Sequence, residues 1–186
     1  DLPMSEPIQV PMPGVALPIL MKQEGKTSYS LSEFGALIDP VYDVYAEQIR
    51  RCVSGLTAYA AQCAAARHEE QLPKLREHIV MMGGFWGMEE DVSVDPYEVS
   101  ERKYGRSFDA VIAEAWQSGS APPLTEQAMR DVLTGLEVHM QEMENSGDMD
   151  DLIDEYGRMA QRLRTEWHME PPASQQTVLT MEGMSL

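Results

Sequence analysis

The sequence predicts an all-α fold, and three observations predict it. Apolar residues recur every three or four positions through most of residues 41–167, helix start and stop signals bracket these runs, and no segment alternates apolar and polar residues over a strand's length. The nearest approaches to a strand, "DVSVD" and "QTVLTM", are short and isolated. The architecture expected is an irregular helical bundle over residues 30–170, with a long central helix and a C-terminal antiparallel helical hairpin. Extended arms flank it, a Pro-rich one over 1–29 and a tail over 171–186.

The arm comes first. "DLPMSEPIQVPMPGVALPIL" carries prolines at 3, 7, 11, 13 and 18, which remove backbone donors and hold the chain near a polyproline path. Ser30 and Glu33 then stand at capping-box spacing, predicting a short helical turn through Leu37 that Pro40 ends. Asp39 and Pro40 form an N-cap and first-turn pair for the long helix. Its apolar side is Val41, Val44, Tyr45, Ile49, Cys52, Val53, Leu56, Tyr59, Ala60 and Cys63. The alanine-rich half, "AYAAQCAAA", has side chains small enough for a neighbouring helix to come close.

Pro73 opens a second helix with Leu75, Ile79 and Met82 inward, and Gly83-Gly84 is expected to end it. "FWGMEED" then reads as an aromatic, glycine-broken loop before a short helix from Pro96. After Ser107, the residues Phe108, Val111, Ile112, Ala115 and Trp116 make another apolar face, interrupted by Gly119, Pro122 and Pro123. Leu124 and Thr125 are a staple residue and an N-cap for a helix carrying Met129, Val132, Leu133, Leu136, Met140 and Met143. "NSGD" is a turn whose Asp148 is expected to cap the last helix, with Leu152, Tyr156, Met159, Leu163 and Trp167 inward. Pro171 and Pro172 stop that helix.

A chain of 186 residues with 43% hydrophobic composition can bury one ordinary core. Its net charge of -17, from 31 acids against 14 bases, repels nucleic acid and anionic lipid, so direct nucleic-acid binding is not expected. The ordinary role of such acidity is solubility. No apolar run approaches the ~20 residues of a bilayer span, and no secretory signal pattern opens the chain. Cys52 and Cys63 lie on one helix, roughly 16 Å apart at about 1.5 Å per residue, too far for a disulfide. Two reduced, buried thiols indicate a reducing, non-secreted setting: cytosol, organelle matrix or virion.

Catalytic and metal signatures are missing. His68, His78, His139 and His168 fit neither a Glu-x-x-His pair nor His-Glu-x-x-His. His139, between Leu136 and Met140, reads as a hydrogen-bonded core histidine. "DMDDLIDEYG" lacks the sixth-position glycine and closing glutamate of a calcium loop. No Gly-x-Ser-x-Gly or cysteine-nucleophile signature occurs, and "GGFWG" has too much bulk and no lysine for a phosphate cradle. No cofactor and no metal are therefore expected.

Two features remain. "MMGGFWGM" sets large apolar side chains around three glycines; it is either a core-closing loop or an aromatic anchor for a partner, with Phe85 and Trp86 the residues at stake. From Asp131 to Gly157 there are nine acids and no Lys or Arg, which makes Asp148, Asp150, Asp151 and Asp154 a candidate acidic face. The expected function is that of a non-enzymatic structural or accessory subunit of a larger protein assembly, such as an organellar complex or a virus particle. It would dock on other subunits through the apolar residues of its arm, Leu2, Val10, Val15, Leu17, Ile19 and Leu20. The alternatives are an acidic regulator or decoy for a basic site on a nucleic-acid enzyme, and an assembly chaperone.

Overall fold

The computed structural model describes residues 31–87 and 93–169, with side chains from Pro40 onward. The arm over 1–29, with its apolar candidates Leu2, Val10, Val15, Leu17, Ile19 and Leu20, and the tail over 171–186 lie outside the described residues. The fold is all-α: α1 (Leu31–Ala65), α2 (Leu72–Trp86), α3 (Pro96–Ser100), a π-helical turn (Glu101–Gly105), α4 (Arg106–Ser118), α5 (Glu126–Ser146) and α6 (Asp150–Glu166). Among the described residues there is no strand.

Helix α1 is the central element, packed against α2, α4 and α5. Its apolar stripe supplies Tyr45, Ile49, Cys52, Leu56 and Ala60 to the core, where Ile79 and Met82 of α2, Val132 and Leu136 of α5, and Tyr156 and Leu163 of α6 meet them. Each large aliphatic side chain so enclosed contributes about 1.5–3 kcal/mol relative to exposure. Glycines bring α1 and α5 unusually close. A Cβ at Gly135 would collide with Cys52, and one at Gly55 with Val132. At this short separation Cys52 Sγ donates to the Val132 carbonyl at 3.3 Å and Gln48 Nε2 to the Asp131 carbonyl at 2.9 Å. The small-residue half of α1 meets α4, with Ala61, Ala64 and Ala115 buried together.

Thr125 caps its helix as expected, and Asp95, not singled out in the sequence, caps the short helix at Pro96. Asp95 accepts from the Tyr97 N–H at 2.9 Å ahead of Pro96, and Thr125 accepts from the Ala128 N–H at 3.0 Å with Leu124 buried beside it. Elsewhere the expectations need correction. Pro40 does not divide two helices but lies inside α1. Its ring is exposed and a proline's φ is itself helical, so the helix loses one backbone hydrogen bond there without ending. Gly83-Gly84 does not end α2, which continues through Phe85 and Trp86. The glycines serve close packing instead: a side chain at Gly83 would strike Ser100 and Tyr104, and one at Gly84 the Tyr97 ring.

Asp148 does not cap α6. It has a left-handed φ of 56°, and Met149 occupies the N-cap position with no side-chain bond. Trp116, expected inward, is 38% exposed, with the Arg67 guanidinium 3.9 Å over its ring. Residues 96–118 form one helical rod whose middle turn is π, held to α2 by Arg76, which donates to Asp109 at 2.8 and 2.9 Å and to Glu101 at 3.0 Å. From the Asn145–Asp148 turn α6 runs back along α5, placing Gly157 against Met140 and Arg164 at 2.6 Å from Glu137.

Candidate functional site

The end of α2 delivers Phe85 and Trp86 to the bundle because the helix carries on past its glycines. Both rings are half-buried and packed on the core. Trp86 Nε1–H donates to His139 Nδ1 at 2.9 Å. An indole is a donor only, so this contact assigns the lone pair to Nδ1 and the proton of the neutral ring to Nε2. His139 is 1% exposed, with Phe85 edge-on at 5.2 Å and Tyr156 edge-on at 4.7 Å. It is thus the hydrogen-bonded core histidine that its place between Leu136 and Met140 predicts.

The cluster extends in both directions. On the inner side Tyr156 lies between the two imidazoles, its ring 4.5 Å from that of His78, and its hydroxyl donates to the His78 carbonyl at 2.9 Å. On the outer side Trp86 meets Tyr45 at 6.1 Å and Tyr42 at 6.5 Å, and the Tyr42 hydroxyl donates to Glu142 at 2.9 Å. Among the described residues the Tyr45 hydroxyl and His78 Nδ1 are buried without a hydrogen-bond partner.

Burial sets the protonation states. His139 is pushed down to about 3, first by loss of water and then by the nearby His78; His78 is also lowered, mainly by burial. Tyr45 is raised to about 12 by burial and then by Glu142, and Tyr156 and Cys52 are raised by burial as well. Burial thus disfavours the charged forms of His139, His78, Tyr45, Tyr156 and Cys52. With its lone pair occupied by Trp86, His139 is not positioned as a general base.

Beside this cluster the surface is apolar. A cleft of about 170 Å³ is lined by Ile49, Trp86, Val94 and Val99, with Arg50 and Lys103 among its cations. Tyr42 and Val94 are 43% and 44% exposed, and Tyr97 and Val99 are exposed too. Sequence reading singled out Phe85 and Trp86 and placed Tyr156 inward, but it did not join His78, Tyr156 or these exposed neighbours to the cluster. The available signal was the helical spacing of His78, Met82 and Phe85, obscured by treating the intervening glycines as a stop.

The acidic run divides once the structure is known. Asp131 is buried and accepts from Gln127 at 3.0 Å, Glu137 pairs with Arg164, Glu142 accepts from Tyr42, and Glu155 pairs with Lys74 at 3.1 Å. Asp148, Asp150, Asp151 and Asp154 are all exposed at the α5–α6 corner. None of the four forms an ion pair with a described residue.

Cys52 and Cys63 are free and buried. Among the described residues no group of three His, Cys, Asp or Glu side chains is arranged to hold a metal ion, and no helix is long and apolar enough to cross a membrane. Set against protein-family models, curated proteins and solved structures, the chain matches none.

Proposed function

We propose that this chain is a non-enzymatic accessory or structural subunit that joins a larger protein assembly, an organellar complex or a virus particle, through its apolar terminal segments. One observation carries the reading. The helices between Tyr45 and Leu163 bury their apolar faces against one another, so the body accounts for its own core. The first twenty residues meanwhile intersperse Leu2, Val10, Val15, Leu17, Ile19 and Leu20 with five prolines. Apolar side chains spaced by prolines in this way gain most by lying on another protein's surface. The prolines narrow the free ensemble and reduce the ordering cost of docking.

The test is native purification of the full chain beside one lacking residues 1–29. The full chain should elute in a stoichiometric complex, and the shortened one as a free helical body with unchanged circular dichroism. Co-elution of the shortened chain with the same partners would overturn the proposal.

A second reading rests on the unpaired acidic corner: a regulator docking on a basic protein site. It requires steeply salt-dependent binding that reversal of Asp148, Asp150, Asp151 and Asp154 to lysine abolishes. Affinity unchanged by those reversals would dismiss it.

A further inference from the structure

We propose that the Trp86–His139 contact is an acid-sensitive latch: protonation of His139 at Nδ1 converts the acceptor of the Trp86 N–H into a second donor, and the last turn of α2 comes free while the rest of the bundle holds.

The geometry confines the opening to this turn. Trp86 is the final residue of α2 and Gly87 its C-cap. Gly83 and Gly84 precede it by less than a turn, and glycine holds a helix less well than alanine by about 1 kcal/mol per residue. The terminal turn therefore depends on its side-chain contacts, of which the indole hydrogen bond is the one that protons can remove. His78 and the residues before the glycines remain tied through the Tyr156 hydroxyl and through Ser100 Oγ, which donates to the Val80 carbonyl at 2.7 Å.

Among the described residues no carboxylate is placed to compensate a charge on His139. The described titratable groups around it are His78 from α2, Tyr156 from α6 and, behind Trp86, Tyr45 from α1, none of them a carboxylate. On its own helix Glu142 is engaged by Tyr42. His78 is faced by Lys74 and Glu77 of its own helix and by Glu155 and Arg162 of α6; whenever it takes a proton, it repels charge at His139. Relief comes from opening, which returns His139 to water and to an ordinary value of about 6.5. Below that pH each unit of acid favours the open form about tenfold, down to the low value that burial imposes. Opening adds Phe85 and Trp86 to the exposed Tyr42, Val94, Tyr97 and Val99, and the latch stands whether or not the terminal arm docks.

The experiment is indole hydrogen exchange by NMR on the full ¹⁵N-labelled chain, with the Trp86 resonance assigned by its loss in W86F. The protection factor, corrected for the pH dependence of free indole exchange, should fall about tenfold per pH unit between roughly pH 6.5 and 4.5. It should also lie below that of the Leu56 and Leu136 amides throughout. In H139N, whose amide oxygen replaces the acceptor and does not titrate, this pH dependence should vanish. Trp86 protection equal to that of Leu56 and Leu136 at every pH, or protection independent of pH, overturns the latch, and either result is read on the native sequence alone. The same slope persisting in H139N overturns it as well.

Discussion

The indole–imidazole bond between Trp86 and His139 links residues 53 positions apart, and substitutions on either side test what it contributes. Trp86→Phe keeps most of the ring but leaves Nδ1 buried without a donor, a penalty of about 1–3 kcal/mol. Urea denaturation at neutral pH should show a lower midpoint with an unchanged slope. The same residues set the response to acid. The folded-state value of His139, about 3, lies below its ordinary value, so its stabilising effect is complete above about pH 6.5 and is lost as pH falls toward 3. His78 shifts in the same direction. Stability should therefore fall as the pH drops from about 6.5 toward 3, with His139 contributing up to about 1.4 kcal/mol per pH unit, measurable as urea midpoints at several pH values; midpoints that rise on acidification would contradict it. His139 was legible in the sequence because it sits among apolar helical positions. Trp86 as its donor was not, since pairing across 53 residues leaves no trace in local spacing.

Helices α1 and α5 pack closely, and Gly135 is one of the residues that allow it. Gly135→Ala would place a methyl group against the Cβ of Cys52, on backbone too well packed to yield. Overpacking of this kind costs about 1–3 kcal/mol, although alanine favours a helix more than glycine does. Thermal melting should show the loss, and an alanine variant as stable as the native chain would mean that the helices separate easily. Helix α5 was readable almost to the residue because Thr125, Leu124 and a clean three-four spacing agree. Where local signals misled, tertiary contacts had reversed their meaning. Gly83 and Gly84 resemble a terminator and act as a packing notch for Ser100, Tyr104 and Tyr97; Pro40 resembles a terminator and lies inside α1.

For the whole molecule, electrostatics is the main tension. A net charge of -17 drives self-repulsion, and the four exposed aspartates at the α5–α6 corner concentrate it. Salt at moderate concentration screens such repulsion, so the melting temperature should rise between low salt and about 0.3 M sodium chloride. A melting temperature that drops would mean that paired groups, such as Arg76 with Asp109 and Arg164 with Glu137, outweigh the repulsion. The fold class was visible in the chain because periodicity, caps and composition agreed along most of its length. How the helices meet was not, because it depends on which small residues face one another.

The π-turn between α3 and α4 has a consequence for chain length. Buried positions along this rod run Ser100, Gly105, Phe108 and Ala115, so the inward face advances five residues across the turn before returning to steps near three and four. The turn absorbs one residue without rotating the faces on either side. A chain one residue shorter at Glu101–Lys103 can replace it with an ordinary α-helical turn and keep both faces inward. The same deletion after Phe108 would swing Ala115 about 100° away from α1. This turn is where the rod can tolerate a change in length.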